Sequence, residues 1–218
     1  MPLMNKLTAI PRLSEILKIY PQTRALFFDM DGTLCDSEHL HAKAFAKMSQ
    51  DHQINIPYPP EIVHQKLVGK ADHFVFEEVK NWPGFPSHFT LESFRNEKNK
   101  NLLDLLDLPQ KLLSQEMNIL LNEIKESRLT LGLVTSSEKI ITEKIIKNSS
   151  VTHLFDFFIT RDDCPKHKPD PYPYLKAIEF SKFKAHECVI FEDSQVGLDA
   201  AIGSGANYFW AQWYSDPK

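Results

Sequence analysis

The stretch Ala25-Leu26-Phe27-Phe28-Asp29-Met30-Asp31-Gly32-Thr33-Leu34 is a short apolar run that ends abruptly on two aspartates. The apolar run is typical of a buried strand, and carboxylates at its end are costly unless something binds them. Gly32 allows a sharp turn, so both carboxylates can point into one pocket. One carboxylate could act as a nucleophile, and the other could transfer a proton. An Asp-rich turn after an ordinary strand explains the same residues equally well.

Composition limits the classes of protein that this chain can represent. Its 218 residues suit one domain with a large insertion or two small domains, and 42% hydrophobic residues predict a soluble globular protein. The net charge of −4 gives no argument for a nucleic-acid partner. We expect no membrane span, because no stretch approaches roughly 20 apolar residues, and no secretory signal. Three cysteines without metal-like spacing (Cys35, Cys164 and Cys188) favour free thiols in the cytoplasm.

The segment between about residues 40 and 105 has apolar residues at helical spacing, separated by proline-rich loops. No run within it resembles the strand at Ala25 in quality. We therefore predict an α-helical cap domain over residues 39–106. It would be inserted into a core domain formed by residues 1–38 and 107–218. Nothing in the sequence suggests an obligate interface, so a monomer is expected.

Strand-like runs alternate with helical patterns in the rest of the chain. The predicted strands after the insertion are 129–134, 155–159, 188–191 and 208–211. This alternation predicts an α/β fold with a parallel sheet and helices on both faces. Ligands of such sheets bind at the carboxyl ends of the strands. Polar residues lie at these ends: Asp29 and Asp31, Thr135 and Ser136, and Glu192 and Asp193, with Lys168 in a neighbouring loop.

Four motifs together resemble the haloacid dehalogenase superfamily of aspartate-nucleophile phosphotransferases. They are Asp29-Met30-Asp31-Gly32-Thr33, Thr135-Ser136-Ser137, Lys168-Pro169 and Glu192-Asp193-Ser194. The first is highly specific for this superfamily, whereas the second and third are weak alone. Asp36-Ser37-Glu38, His41 and the helical insertion look like the branch that contains β-phosphoglucomutase, phosphoglycolate phosphatase and small sugar-phosphate phosphatases. The resemblance implies a Rossmann-like core.

The resemblance also implies a role for each acidic residue. Asp29 would attack phosphorus and form an aspartyl-phosphate, and Asp31 would protonate the leaving alcohol and then activate water. Mg²⁺ would be held by Asp29, the backbone carbonyl of Asp31 and Asp193, with Glu192 close by. An alternative for Glu192 and Asp193 is that they cap the next helix, whose first turn favours negative charge.

The remaining motif residues are assigned to the phosphoryl group. Thr135 and the backbone N–H of Ser136 would hold phosphoryl oxygens, next to the Gly32 turn, and Lys168 would neutralise negative charge. Thr135 to Ser137 could also serve as a helix N-cap. Lys168 alone would be taken for a surface lysine. One departure is His167, which stands where relatives usually carry glycine.

Four residues of the insertion are candidates for substrate contact. His41 could be a site acid or a substrate ligand, and a histidine on a helix face has equal weight. Lys66, Gly69 and Lys70 lie in a loop-like break and could reach an anionic substrate, although a solvated loop is favoured. Candidates for substrate choice are Lys70, His73, Trp82 and Arg95.

The favoured hypothesis is therefore a Mg²⁺-dependent phosphatase of a small phosphorylated metabolite, such as a sugar phosphate. The insertion would close over the site and choose the substrate. A phosphomutase is the main alternative, although no arginine for gripping a second phosphate is found in the insertion. A metabolite-binding relative without catalysis is a third hypothesis, but every catalytic position has the expected residue type.

Overall fold

The computed structural model describes residues 6–59, 62–63, 67, 70 and 72–214. The strands are β1 (Lys6–Leu7), β2 (Ala25–Phe28), β3 (Thr130–Val134), β4 (Phe157–Ile159), β5 (Cys188–Glu192) and β6 (Asn207–Ala211). The helices are α1 (Leu13–Ile19), α2 (Glu38–Asp51), α3 (Asp72–Val79), α4 (Leu91–Leu106), α5 (Gln115–Glu126), α6 (Lys139–Asn148), α7 (Tyr172–Ser181) and α8 (Gln195–Ser204). Among the described residues, no helix is both long enough and apolar enough to cross a lipid bilayer.

The chain forms two compact units, one of Met1–Asp36 with Lys111–Lys218 and the other of Ser37–Gln110. The chain thus divides after residues 36 and 110, whereas the predicted divisions lie after residues 38 and 106. The first unit contains the sheet and the second is helical where it is described. The function of the second unit as a cap stays a prediction. Lys66 and Gly69 lie outside the described residues.

The sheet has the strand order β1-β6-β5-β2-β3-β4, and all of its pairs are parallel. Phe28, the last residue of β2, lies opposite Leu133 of β3 and Phe191 of β5. The carboxyl ends of these three strands are therefore level with one another. The predicted α/β fold with a parallel sheet is confirmed. Strand boundaries differ from the predicted ones by one or two residues, and Glu192 is the last residue of β5 and not the first residue after it.

The central strand β2 is fully buried on both faces, as expected for a strand covered by helices on each side. Successive side chains of a strand point to opposite faces. Phe27 packs in a cluster with apolar residues of α7 and α8. Phe28, on the other face, stacks on Phe191 with 4.5 Å between ring centroids, and the aromatic contacts continue through Phe209 to Tyr20 at the end of α1.

The helical unit has a hydrophobic core of its own. Phe45 of α2 and Phe94 of α4 contact each other with 6.4 Å between ring centroids, and Trp82 lies 6.0 Å from Phe45. The N-terminus of α4 is capped by Thr90, whose hydroxyl accepts from the backbone N–H of Ser93 at 3.1 Å. This unit therefore has the packing of a domain and not of a long surface loop.

Candidate active site

Asp29 lies directly after β2, at the centre of the level strand ends. Its backbone N–H continues the sheet and donates to the carbonyl of Phe191 at 3.0 Å. The residue is 8% exposed, and its Oδ1 accepts a hydrogen bond from Lys168 Nζ at 2.7 Å. The sheet therefore holds the backbone of Asp29 while Lys168 orients its carboxylate.

Gly32 makes the turn that the sequence predicted, with φ of +75°. A Cβ atom at this position would lie 2.3 Å from Asp193 Oδ2, so a larger residue has no room there. The Gly32 N–H closes the turn by donating to the carbonyl of Cys35 at 2.9 Å. The glycine thus allows the loop after β2 to lie directly against the loop after β5.

Lys168 is the centre of a buried network. Its ammonium donates to Asp29 Oδ1 at 2.7 Å, to the Val134 carbonyl at 2.9 Å and to Glu192 Oε1 at 2.5 Å. Burial lowers the pKa of Lys168, but the charges of Asp29 and Glu192 outweigh burial and hold that pKa above its usual range. The ammonium therefore stays protonated. The interpretation of Lys168 as a surface lysine is wrong, because its side chain is almost fully buried.

Burial raises the pKa of the Asp29 carboxyl, Lys168 lowers it, and the charges of Glu192 and Asp31 raise it again. The net pKa is well above the usual range. One ammonium therefore does not compensate the acidic groups of this site. Ligand oxygens of Asp29, Glu192 and Asp193 lie within 4.8 Å of one another, so they could hold one divalent cation. Hard oxygen ligands of this kind suit such a cation, whose charge would offset the repulsion.

Asp193 is fixed through both its side chain and its backbone. Thr33 Oγ1 donates to Asp193 Oδ1 at 3.1 Å. The Asp193 carbonyl accepts from Trp210 Nε1 at 2.9 Å and from Gln212 Nε2 at 3.2 Å. The interpretation of Glu192 and Asp193 as helix caps is wrong, because the N-cap of α8 is Ser194, whose Oγ accepts from a backbone N–H in the first turn at 3.0 Å.

The Thr135–Ser137 loop after β3 contacts Asp31. Ser137 Oγ donates to Asp31 Oδ2 at 2.7 Å, and the Ser137 N–H donates to Thr135 Oγ1 at 3.0 Å. Thr135 is buried and Ser136 is half-buried. The expectation that these residues also form a helix N-cap is wrong, because the N-cap of α6 is Glu138. The sequence predicts no separate role for Ser137, because its contact with Asp31 depends on how the strands are paired.

Tyr174 is a site residue that sequence reasoning missed. Its hydroxyl donates to Glu192 Oε1, and its ring centroid lies 4.9 Å from Lys168 Nζ. Burial raises the pKa of Tyr174, and the charge of Glu192 raises it further, so the hydroxyl remains a donor. The sequence showed only an aromatic residue on the apolar face of α7. The tyrosine itself could have indicated a site residue, because a buried tyrosine hydroxyl usually forms a hydrogen bond with a polar partner.

Two of the four candidates for substrate contact in the insertion, His41 and Lys70, are among the described residues and belong to the helical unit. His41 is half-buried on α2, where its charge helps to lower the pKa of Asp72, and Lys70 is exposed. Arg95 donates from Nε to Asp72 Oδ2 at 3.3 Å. Trp82 is buried in the core of this unit, whereas His73 is exposed. The roles proposed for these residues in substrate binding stay predictions.

Comparisons with known proteins found a matching family model, similar proteins and similar solved structures. A family model described as haloacid dehalogenase-like hydrolase matches residues 26–211. The validoxylamine A 7'-phosphate phosphatase of Streptomyces hygroscopicus subsp. limoneus is 28% identical, over 84% of this chain and 82% of that protein. The beta-phosphoglucomutase of Bacillus subtilis is 25% identical, over 84% and 80%. The crystal structure of CbbY from Rhodobacter sphaeroides in complex with phosphate matches 85% of this chain and 84% of that chain, with a TM-score of 0.74 and 22% identity.

Proposed function

This chain belongs to the haloacid dehalogenase-like hydrolase family, and from that premise we propose that it is a Mg²⁺-dependent phosphatase of a small phosphorylated metabolite, such as a sugar phosphate. The observation that carries the proposal is the convergence of Asp29, Lys168 and Asp193 with Glu192 at the level ends of the parallel strands. The phosphatase among the similar proteins supports the reaction class.

In this proposal Asp29 is the nucleophile. Its carboxylate attacks phosphorus, the bond from phosphorus to the alcohol oxygen breaks, and an aspartyl-phosphate forms. Lys168 supports this step because it binds Asp29 Oδ1 and carries a permanent positive charge next to the developing negative charge. Water then attacks phosphorus, and free phosphate leaves as the Asp29 carboxylate is restored.

Asp31 is the proposed general acid and base. It gives its proton to the leaving alkoxide and later takes a proton from the attacking water. Ser137 supports this role because its hydroxyl donates to Asp31 Oδ2 at 2.7 Å and so orients the carboxyl group. Thr135 and the Ser136 N–H, in the same loop, are the proposed ligands of the phosphoryl oxygens.

Asp29, Asp193 and the backbone carbonyl of Asp31 are the proposed ligands of Mg²⁺. When bound, the cation would offset repulsion between the carboxylate and the phosphate and would polarise the phosphoryl oxygens. Glu192 completes the acidic cluster, but its Oε1 accepts from both Lys168 and Tyr174. We assign Glu192 chiefly to holding Lys168.

The helical unit is the proposed cap, which chooses the substrate and excludes water during transfer. Its candidates for substrate contact are His41 and Lys70. The enzyme is expected to act as a monomer in the cytoplasm. Buried, free thiols at all three cysteines support a reducing compartment.

The test is phosphate release from an aryl phosphate with Mg²⁺ present, followed by a panel of sugar, nucleotide and glycolate phosphates. We expect Asp29→Asn to lower the rate at least about a thousandfold, because the amide is a poor nucleophile. Asp199→Asn, an exposed position on α8, is the matched control and should retain the wild-type rate. A wild-type protein that is inert across the whole panel would contradict the proposal.

The similarity to a β-phosphoglucomutase supports a second candidate function, that of a phosphomutase that returns the phosphoryl group to a sugar. The discriminating measurement is conversion of a hexose 1-phosphate to the 6-phosphate. Strong isomerisation with little free phosphate would favour the mutase over the phosphatase.

A further inference from the structure

Tyr174 contacts both members of the buried ion pair that supports Asp29. Its hydroxyl donates to Glu192 Oε1, and its ring lies beneath Lys168 Nζ at 4.9 Å. The side chain is fully buried in the first turn of α7. The hydroxyl of Tyr174 donates to Glu192 and not to Asp29, so its proposed effect on the nucleophile passes through Glu192 and Lys168.

The ammonium of Lys168 uses its three protons on three acceptors: Asp29, the Val134 carbonyl and Glu192. A carbonyl in a sheet cannot move far, but a glutamate side chain has three rotatable bonds. The position of Glu192 Oε1 therefore determines how closely Nζ can approach Asp29 Oδ1. A group that fixes Glu192 also fixes the ammonium.

Glu192 is confined on its other side by the start of α8. A Cβ atom at Gly197 would lie 1.9 Å from Glu192 Oε2, so the carboxylate packs against the bare backbone of that helix. Ser194 Oγ lies 3.4 Å from the same oxygen. Tyr174 supplies the contact at the opposite oxygen, Oε1, and completes the enclosure of the carboxylate.

We propose that Tyr174 is a positioning residue, whose hydroxyl fixes Glu192 so that the Lys168 ammonium is held against Asp29. This inference deepens the proposed function, and its catalytic consequence rests on that function. Its geometric part does not, because the orientation of Lys168 can be measured without any reaction. The competing explanation is that Tyr174 only fills the core, in which case its ring is sufficient.

Tyr174→Phe separates the two explanations, because it removes the hydroxyl and keeps the ring. Tyr172→Phe, at a half-buried position on the same helix, is the matched control. We expect Tyr174→Phe to lower kcat on an aryl phosphate about tenfold while KM changes less than twofold, as for other partners that act through a site residue. Tyr172→Phe should leave both constants unchanged.

The second readout is the NMR signal of the Lys168 ammonium, assigned by ¹⁵N labelling in protein without added metal or substrate. We expect a sharp, slowly exchanging signal in the wild type that shifts and broadens in Tyr174→Phe. If Tyr174→Phe does not fold, 3-fluorotyrosine at position 174 keeps the shape and strengthens the donor, and it should shift the same signal.

An unchanged Lys168 signal in the phenylalanine or fluorotyrosine protein overturns the inference, and so does a wild-type kcat in Tyr174→Phe. If the wild-type protein hydrolyses no phosphate ester, the proposed function fails by itself. The ammonium signal then still decides whether Tyr174 positions Lys168.

Discussion

Two groups of buried or half-buried charges in this protein combine acidic and basic side chains in opposite proportions. At the end of β2, the Lys168 ammonium binds the carboxylates of Asp29 and Glu192. In the helical unit, the Asp72 carboxylate binds both Lys98 and Arg95. The first group has an excess of negative charge and the second an excess of positive charge.

The pKa values follow the same division. Burial raises the pKa of both Asp29 and Asp72, but only for Asp72 do the nearby cations outweigh it and lower the net pKa. The negative charge of Asp72 is thus balanced by cationic side chains of the protein itself, as in a structural ion pair. Asp29 keeps a deficit of positive charge, which a bound cation would supply. The opposite directions of the two pKa shifts therefore match the opposite charge balance of the two clusters.

Lys168→Met gives the largest expected effect. It leaves Asp29 and Glu192 buried without their counter-charge, so the free energy of unfolding should fall by about 3–5 kcal/mol and phosphatase activity should be lost. Lys98→Met is the matched change in the other cluster and should cost less, because Asp72 keeps Arg95. Chemical denaturation measures both changes. Equal losses of stability would contradict the distinction between the clusters.

Mg²⁺ should stabilise the wild-type protein, because it binds only the folded site. At a concentration a hundredfold above its dissociation constant, it should add about 2.7 kcal/mol to the free energy of unfolding and raise Tm by about 5–10 °C. Asp193→Asn should abolish this gain, since it removes one of the clustered carboxylates. Asp72→Asn should retain it. A gain that persists in Asp193→Asn would place the ion elsewhere.

Asp72→Asn tests the compensated cluster through its pH dependence. The folded-state pKa of Asp72 is lowered, so its stabilisation is fully present above the ordinary pKa of 3.8 and is lost as pH falls through the folded value. We expect the substitution to cost about 1–2 kcal/mol at pH 7 and progressively less below pH 4. Denaturation over that range measures the difference, and a cost that grows with acidity would show the opposite sign.

The sequence predicted the parts of the molecule that depend on local pattern. The apolar run at Ala25 and the alternation of strands and helices indicated the parallel sheet, and the motifs indicated the family, and both predictions are confirmed. The placement of Asp29, Thr135 and Glu192 at strand ends followed because parallel strands bring their carboxyl ends to one edge.

The contacts between these residues could not be predicted, because they depend on register and on side-chain direction. Tyr174 and Ser137 reach Glu192 and Asp31 only after α7 and the loop after β3 are packed on the sheet. The same limit applies to Arg95, which was predicted as a specificity residue and which the structure shows bound to Asp72. Local spacing identifies a charged residue but not its partner.

The indole hydrogen bonds of the site provide an optical reporter. Trp210 donates to the carbonyl of Asp193, and Trp213 donates to the carbonyl of Thr33 at 2.8 Å. The third tryptophan, Trp82, lies in the helical unit. Indole emission responds to nearby charge and to the hydrogen bond of its N–H group. Fluorescence of a Trp82→Phe protein would therefore report ligand binding at the loops after β2 and β5 without any added label.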